Sequence, residues 1–138
     1  GKDIYITPST EVVIYLYENP LGGVLLKCPN KEEYMKKAHC VKTIVTPAGE
    51  ESCAARALLV GLAKIKMSRS ALYNYARNNS PNSKLSKDAY ALLARCDLSP
   101  HDKVGYNDIK NMAVDLGVAV HILNITGRTK PEYDFHYP

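Results

Sequence analysis

Eleven residues, Cys53-Ala54-Ala55-Arg56-Ala57-Leu58-Leu59-Val60-Gly61-Leu62-Ala63, hold one charge, on Arg56, and restrict the fold more than any other segment. At helical spacing such a run has no polar side to turn toward water, so it predicts a helix wrapped by other elements. The preceding Pro47-Ala48-Gly49-Glu50-Glu51-Ser52 has the composition of a turn, which places Cys53 at the helix N-terminus. Aligned peptide dipoles and unpaired N–H groups there favour a thiolate and lower the pKa of a cysteine. Cysteine also ranks among the most buried residue types, so a packing role stands beside a nucleophilic one.

A chain of 138 residues that is 46% hydrophobic can bury one core, and a single domain over residues 1–138 is expected. No apolar run approaches the roughly 20 residues of a membrane span. The first residues show no basic region followed by an apolar one. Cys28, Cys40, Cys53 and Cys96 are widely spaced without a Cys-x-x-Cys pair. That pattern points to reduced thiols and an intracellular setting, cytoplasmic or nuclear. A zinc site from Cys28, His39, Cys40 and Cys53 fits no knuckle spacing, so neither metal nor cofactor is expected.

The elements follow in order. Val12-Val13-Ile14-Tyr15-Leu16-Tyr17 and Val24-Leu25-Leu26, separated by Pro20 and Gly22-Gly23, predict a hairpin. Asn30 caps a predicted short helix over 31–38, and 41–45 predicts a strand ending before Pro47. Leu85 to Cys96 predicts a helix with Leu85, Ala89, Leu92, Leu93 and Cys96 on one face. Tyr106 to Leu116 predicts another, ended by Gly117, and Val118 to Asn124 a core strand. The closing aromatic run from Tyr133 to Tyr137 fits one further strand.

Glu50-x-x-Cys53-x-x-Arg56-Ala57, followed by Gly105-x-x-Asp108-Ile109-x-x-Met112-Ala113-x-x-Leu116-Gly117-Val118-x-Val120-x-Ile122, resembles the ovarian-tumour (OTU) class of papain-like cysteine proteases. From Val41 to Ile122 it is similar to OTU-like domains of Polinton or Maverick-type selfish DNA elements and related viral proteins. The resemblance implies an α+β fold, a small mixed sheet against a central helix opened by Cys53, with two or three further helices. It implies Cys53 as nucleophile and His136, followed by Tyr137, as base. Backbone N–H groups at the helix start and at Glu51 and Ser52, in the loop begun by Glu50, would face the oxyanion. Substrates would be a peptide, a polyprotein or a ubiquitin-like protein. Glu50 stands where the family has Asp, Ser52 where it has Asn, and Ala55 where it has an aromatic residue. An alternative alignment puts the base on a strand beyond Pro138, in a longer chain, or leaves it lost.

His121 sits in an alternating strand and is read as a packed core histidine, while His101 and Asp102 are read as solvated. A second class of function rests on charge. Lys64, Lys66, Arg69, Arg77, Lys84 and Lys87 lie in an acid-free stretch interleaved with Tyr73 and Tyr75, on a chain of net charge +4. The stretch suits a protein- or nucleic-acid-binding module that has lost catalysis, although a single basic loop of this size is more often an ordinary solvated surface.

Overall fold

A computed structural model describes residues 5–6, 12–18, 44, 46–78, 80–124 and 132–137, with the backbone alone for 12, 13, 15–18, 123, 124 and 132–137. Within these residues the chain is α+β, with four helices and antiparallel strands. β1 (Tyr5–Ile6) pairs with β3 (Val104–Gly105), and β2 (Val12–Glu18), β4 (Val118–Asn124) and β5 (Glu132–Tyr137) form a sheet ordered β2-β4-β5. Every one of these pairings is antiparallel, which corrects the expectation of a mixed sheet. The chain reaches β4 from α4 (Tyr106–Leu116) through the single residue Gly117, whose φ of +70° turns it back sharply. β4 then runs antiparallel to both of its neighbours.

α1 spans Cys53–Lys66, three residues beyond the apolar run, with Lys64 and Lys66 in its last turn favourably near the negative end of the dipole. Cys53, Ala54, Ala55, Arg56, Leu58, Val60 and Ala63 are buried, so the helix is wrapped over its first three turns and emerges at its end. α2 (Arg69–Ala76) was not anticipated: Ser68 caps it by accepting from the Ala71 N–H at 3.3 Å, and it buries no residue. α3 (Lys84–Arg95) starts at Ser83, whose hydroxyl accepts from the Ser86 N–H at 3.1 Å. Its Leu85, Ala89, Leu92 and Leu93 are buried, as their spacing requires, and Cys96 just beyond is half-buried.

One cluster holds the molecule together. Ala54, Ala55 and Leu58 of α1, Ala89, Leu92 and Leu93 of α3, and Ile109, Met112 and Ala113 of α4 meet Val118, Val120 and Ile122 of β4. Ile6 and Val104 close it from the small ladder, and Ile14, opposite Ile122 in β2, packs at its edge. Fully burying a leucine or isoleucine contributes about 1.5–3 kcal/mol. Leu58, Leu92, Leu93, Ile109 and Ile122 are all completely covered, so this cluster is the dominant apolar contribution.

Alternation in β4 sends Val118, Val120 and Ile122 to the helical core and Ala119 and His121 to the other face, which is also covered. The predicted strand 24–26 and helix 31–38 lie outside the described residues. So does most of 41–45, of which Ile44 alone is described and carries no regular structure.

Candidate functional site around Cys53

Cys53 is the first residue of α1, and its position is set by the loop that delivers it. Gly49, at φ +83°, makes the tight turn, and the Glu50 N–H closes it on the Pro47 carbonyl at 3.2 Å. The Glu51 N–H donates to the Pro100 carbonyl at 2.7 Å, and Nδ1 of His101 lies 3.1 Å from the Gly49 carbonyl. A carbonyl only accepts, so that contact requires the proton on Nδ1. The 99–102 turn is itself fixed by the Ser99 N–H donating to Asp102 at 2.8 Å. His101 and Asp102 are exposed as expected, but they do more than meet solvent: their turn clamps the cysteine loop.

Beneath the loop lies a buried charge network. Arg56 is fully buried and donates from Nε to the Ser52 hydroxyl at 2.9 Å, while Nη2 approaches Glu50 at 3.7 Å. Glu50 also accepts from Ser52 Oγ at 3.1 Å and from the Tyr90 hydroxyl at 2.7 Å. The Arg56 guanidinium lies 5.8 Å from the Tyr90 ring centroid, a cation–π distance. Arg56 is thus the one charge of the apolar run because it tethers helix, loop and α3 together. Ser52 is occupied in this network and does not cap α1.

Of the expected oxyanion donors, the Glu51 N–H is engaged by the Pro100 carbonyl, and the side chains of Glu50 and Ser52 are held to each other within the loop. The amides of Ala54 and Cys53, at the helix start, act to lower the pKa of the sulfur.

The thiol also differs from expectation. Cys53 is 8% exposed, and its Sγ lies 3.6 Å from the Ile6 carbonyl, donating to it. Burial raises its pKa, and the Glu51 carboxylate adds to that, against the lowering by the Ala54 and Cys53 amides and Arg56. Desolvation therefore outweighs the helix terminus, and the sulfur is a protonated thiol in this conformation.

His121, read from the sequence as a packed core histidine, is completely buried on the β4 face that does not carry the Cys53 core. His136 lies in β5, its backbone paired with His121, while Phe135 and Tyr137 stand opposite Ile122 and Val120. Cys28, His39 and Cys40 fall outside the described residues. Among the described residues no group of three or more metal-ligating side chains occurs, and no helix is long and apolar enough to cross a membrane.

The basic stretch divides. Lys64, Lys66, Arg69, Tyr73 and Arg77 are exposed, with Arg77 stacked 5.4 Å from the Tyr73 centroid. Tyr75 donates to Asp88 at 2.8 Å and is withdrawn from that surface, a correction to its expected role; partial burial and the carboxylate raise its pKa. Lys84 pairs with Asp88 at 3.7 Å, and Lys87 is exposed. Compared with known protein families, curated proteins and solved structures, the chain matches none.

Proposed function

We propose that the chain is an OTU-like thiol hydrolase on the papain-like plan, cutting peptide or isopeptide bonds through Cys53, and that the conformation described is its closed state. One observation carries this reading: Cys53 opens α1 at the end of a loop braced from below by Arg56, Glu50 and Tyr90 and from outside by Pro100 and His101. A cysteine that only fills space needs no such bracing. In the reaction the Cys53 sulfur, freed from Ile6, attacks the scissile carbonyl, and the C–N bond breaks as an imidazole protonates the leaving amine; His136, expected in that role, pairs with His121 on the sheet face turned away from Cys53 and does not fill it in this conformation. Water then hydrolyses the thioester.

A second reading is favoured by the burial of the thiol: Cys53 is a core residue and the domain binds without catalysis. Iodoacetamide labelling followed by mass spectrometry across pH 5–9 separates the two. In the unaltered chain Cys53 labels more slowly than solvent-accessible thiols near neutral pH. In Ile6→Ala, which thins the cover that β1 lays over the sulfur without adding a charge, Cys53 overtakes Cys28, Cys40 and Cys96. If it stays slow while the helices persist by circular dichroism, the second reading holds and the hydrolase reading is abandoned.

A further inference from the structure

The end of α1 and the outer face of α2 form a surface independent of the Cys53 site. α2 buries nothing, and Arg69, Tyr73 and Arg77 recur on it every four residues, which aligns them along one face. At 1.5 Å per residue, Arg69 and Arg77 are about 12 Å apart along the axis. Lys64 and Lys66 end α1, and only Met67 and Ser68 separate that helix from α2. Ile65 and Met67 are also exposed here, at 42% and 38%.

No described carboxylate pairs with Lys64, Lys66, Arg69 or Arg77, whereas Lys84 and Arg95 each have one, Asp88 and Asp115. Asp88, the acidic residue nearest in sequence to this face, is engaged by Tyr75 and Lys84. Among the described residues the field of the face is therefore uncompensated. Tyr73, 59% exposed, is the most exposed large hydrophobic side chain described, and the Arg77 guanidinium lies on its ring. A tyrosine and a guanidinium presented as flat surfaces among free cations match a partner with both negative charges and planar rings. An acidic peptide supplies only the charges and a lipid headgroup has no ring to stack, which favours a nucleic acid. Stacking requires unpaired bases, which favours a single strand.

We propose that Lys64, Lys66, Arg69, Tyr73 and Arg77 are a docking face for single-stranded nucleic acid. The cations meet the phosphates, and Tyr73 with Arg77 forms a platform for one base.

The test is fluorescence anisotropy with a labelled twenty-residue oligothymidylate, the same sequence as a duplex, polyglutamate, and phosphatidylserine vesicles as competitors. Binding to the single strand is expected to weaken with salt, with a log–log slope of about −3 for four cations at ~0.7 each. Tyr73→Ala weakens it roughly tenfold and Tyr73→Phe leaves it unchanged, because stacking needs the ring and not the hydroxyl. Lys64→Glu with Arg69→Glu removes it, and Cys53→Ser does not alter it. The proposal is overturned by no binding at low salt, by equal affinity of Tyr73→Ala, or by competition from polyglutamate or vesicles at matched charge. Stronger binding to the duplex overturns it too.

Discussion

Two arginines thirteen residues apart, Arg56 in the first turn of α1 and Arg69 at the start of α2, behave in opposite ways. Arg56 is fully buried and held by Ser52, Glu50 and Tyr90; Arg69 is exposed with no described carboxylate beside it. The first charge has its field neutralised and its donors directed inward, so it stabilises a shape. The second keeps its field, so it is available to a partner. A charge within an apolar run is thus read best as a structural tether, and charges without nearby acids as an interaction surface.

Breaking the buried end has the largest expected effect. Arg56→Met leaves Glu50 without its cation in a site where the carboxylate side chain is 10% exposed. Loss of one partner from a buried pair costs about 3–5 kcal/mol. Urea unfolding should show it as a lower midpoint at unchanged slope. Lys64→Glu with Arg69→Glu, at the open end, should move the same midpoint by less than about 0.5 kcal/mol. Equal destabilisation by the two variants would break the comparison. Leu92→Ala calibrates the scale from the adjoining apolar core, at about 2–5 kcal/mol.

The two ends were unequally legible in the sequence. α1, α4 and β4 follow directly from hydrophobic periodicity, because Ile109, Met112 and Ala113 recur at three and four and Gly117 ends their helix. α2 was missed because it buries nothing: without an apolar stripe, Arg69 to Ala76 leaves only the capping serine Ser68 as a local signal. The mixed sheet was an inference from resemblance that antiparallel pairing overturned. At the site, Cys53 was placed correctly at the helix start, yet its pKa direction was not, because desolvation depends on Ile6, forty-seven residues away in sequence. The clamp by Pro100 and His101 is likewise a long-range contact that no local spacing encodes.

The cysteine sharpens the comparison through pH. Its pKa is raised in the folded chain, so the folded state holds the thiol proton more tightly than the unfolded state does. The associated stability is fully present below the unfolded thiol value of about 8.5 and is lost as pH rises toward the folded value. Cys53→Ala should flatten the fall in stability between neutral and alkaline pH, measured by urea midpoints. A parallel fall in both proteins would show that the thiol is not desolvated.

The smallest effect concerns Glu51. Its carboxylate opposes the thiolate of Cys53, after desolvation and the Ala54 amide in importance, and its Oε2 is buried with no hydrogen-bond partner among the described residues. Glu51→Gln keeps the shape and removes the charge. It should lower the pH at which Cys53 begins to label in the Ile6→Ala background, by less than Ile6→Ala itself does, because desolvation is the largest of the opposing causes and the Glu51 charge a smaller one. His136→Ala in that background should leave the labelling unchanged, because His136 pairs with His121 on the sheet face turned away from Cys53. If His136→Ala slows the labelling as well, a β5 register other than this one brings an imidazole to the sulfur; if only Glu51→Gln moves the profile, the sulfur is governed by its own loop and the nucleophile stands without a base from β5.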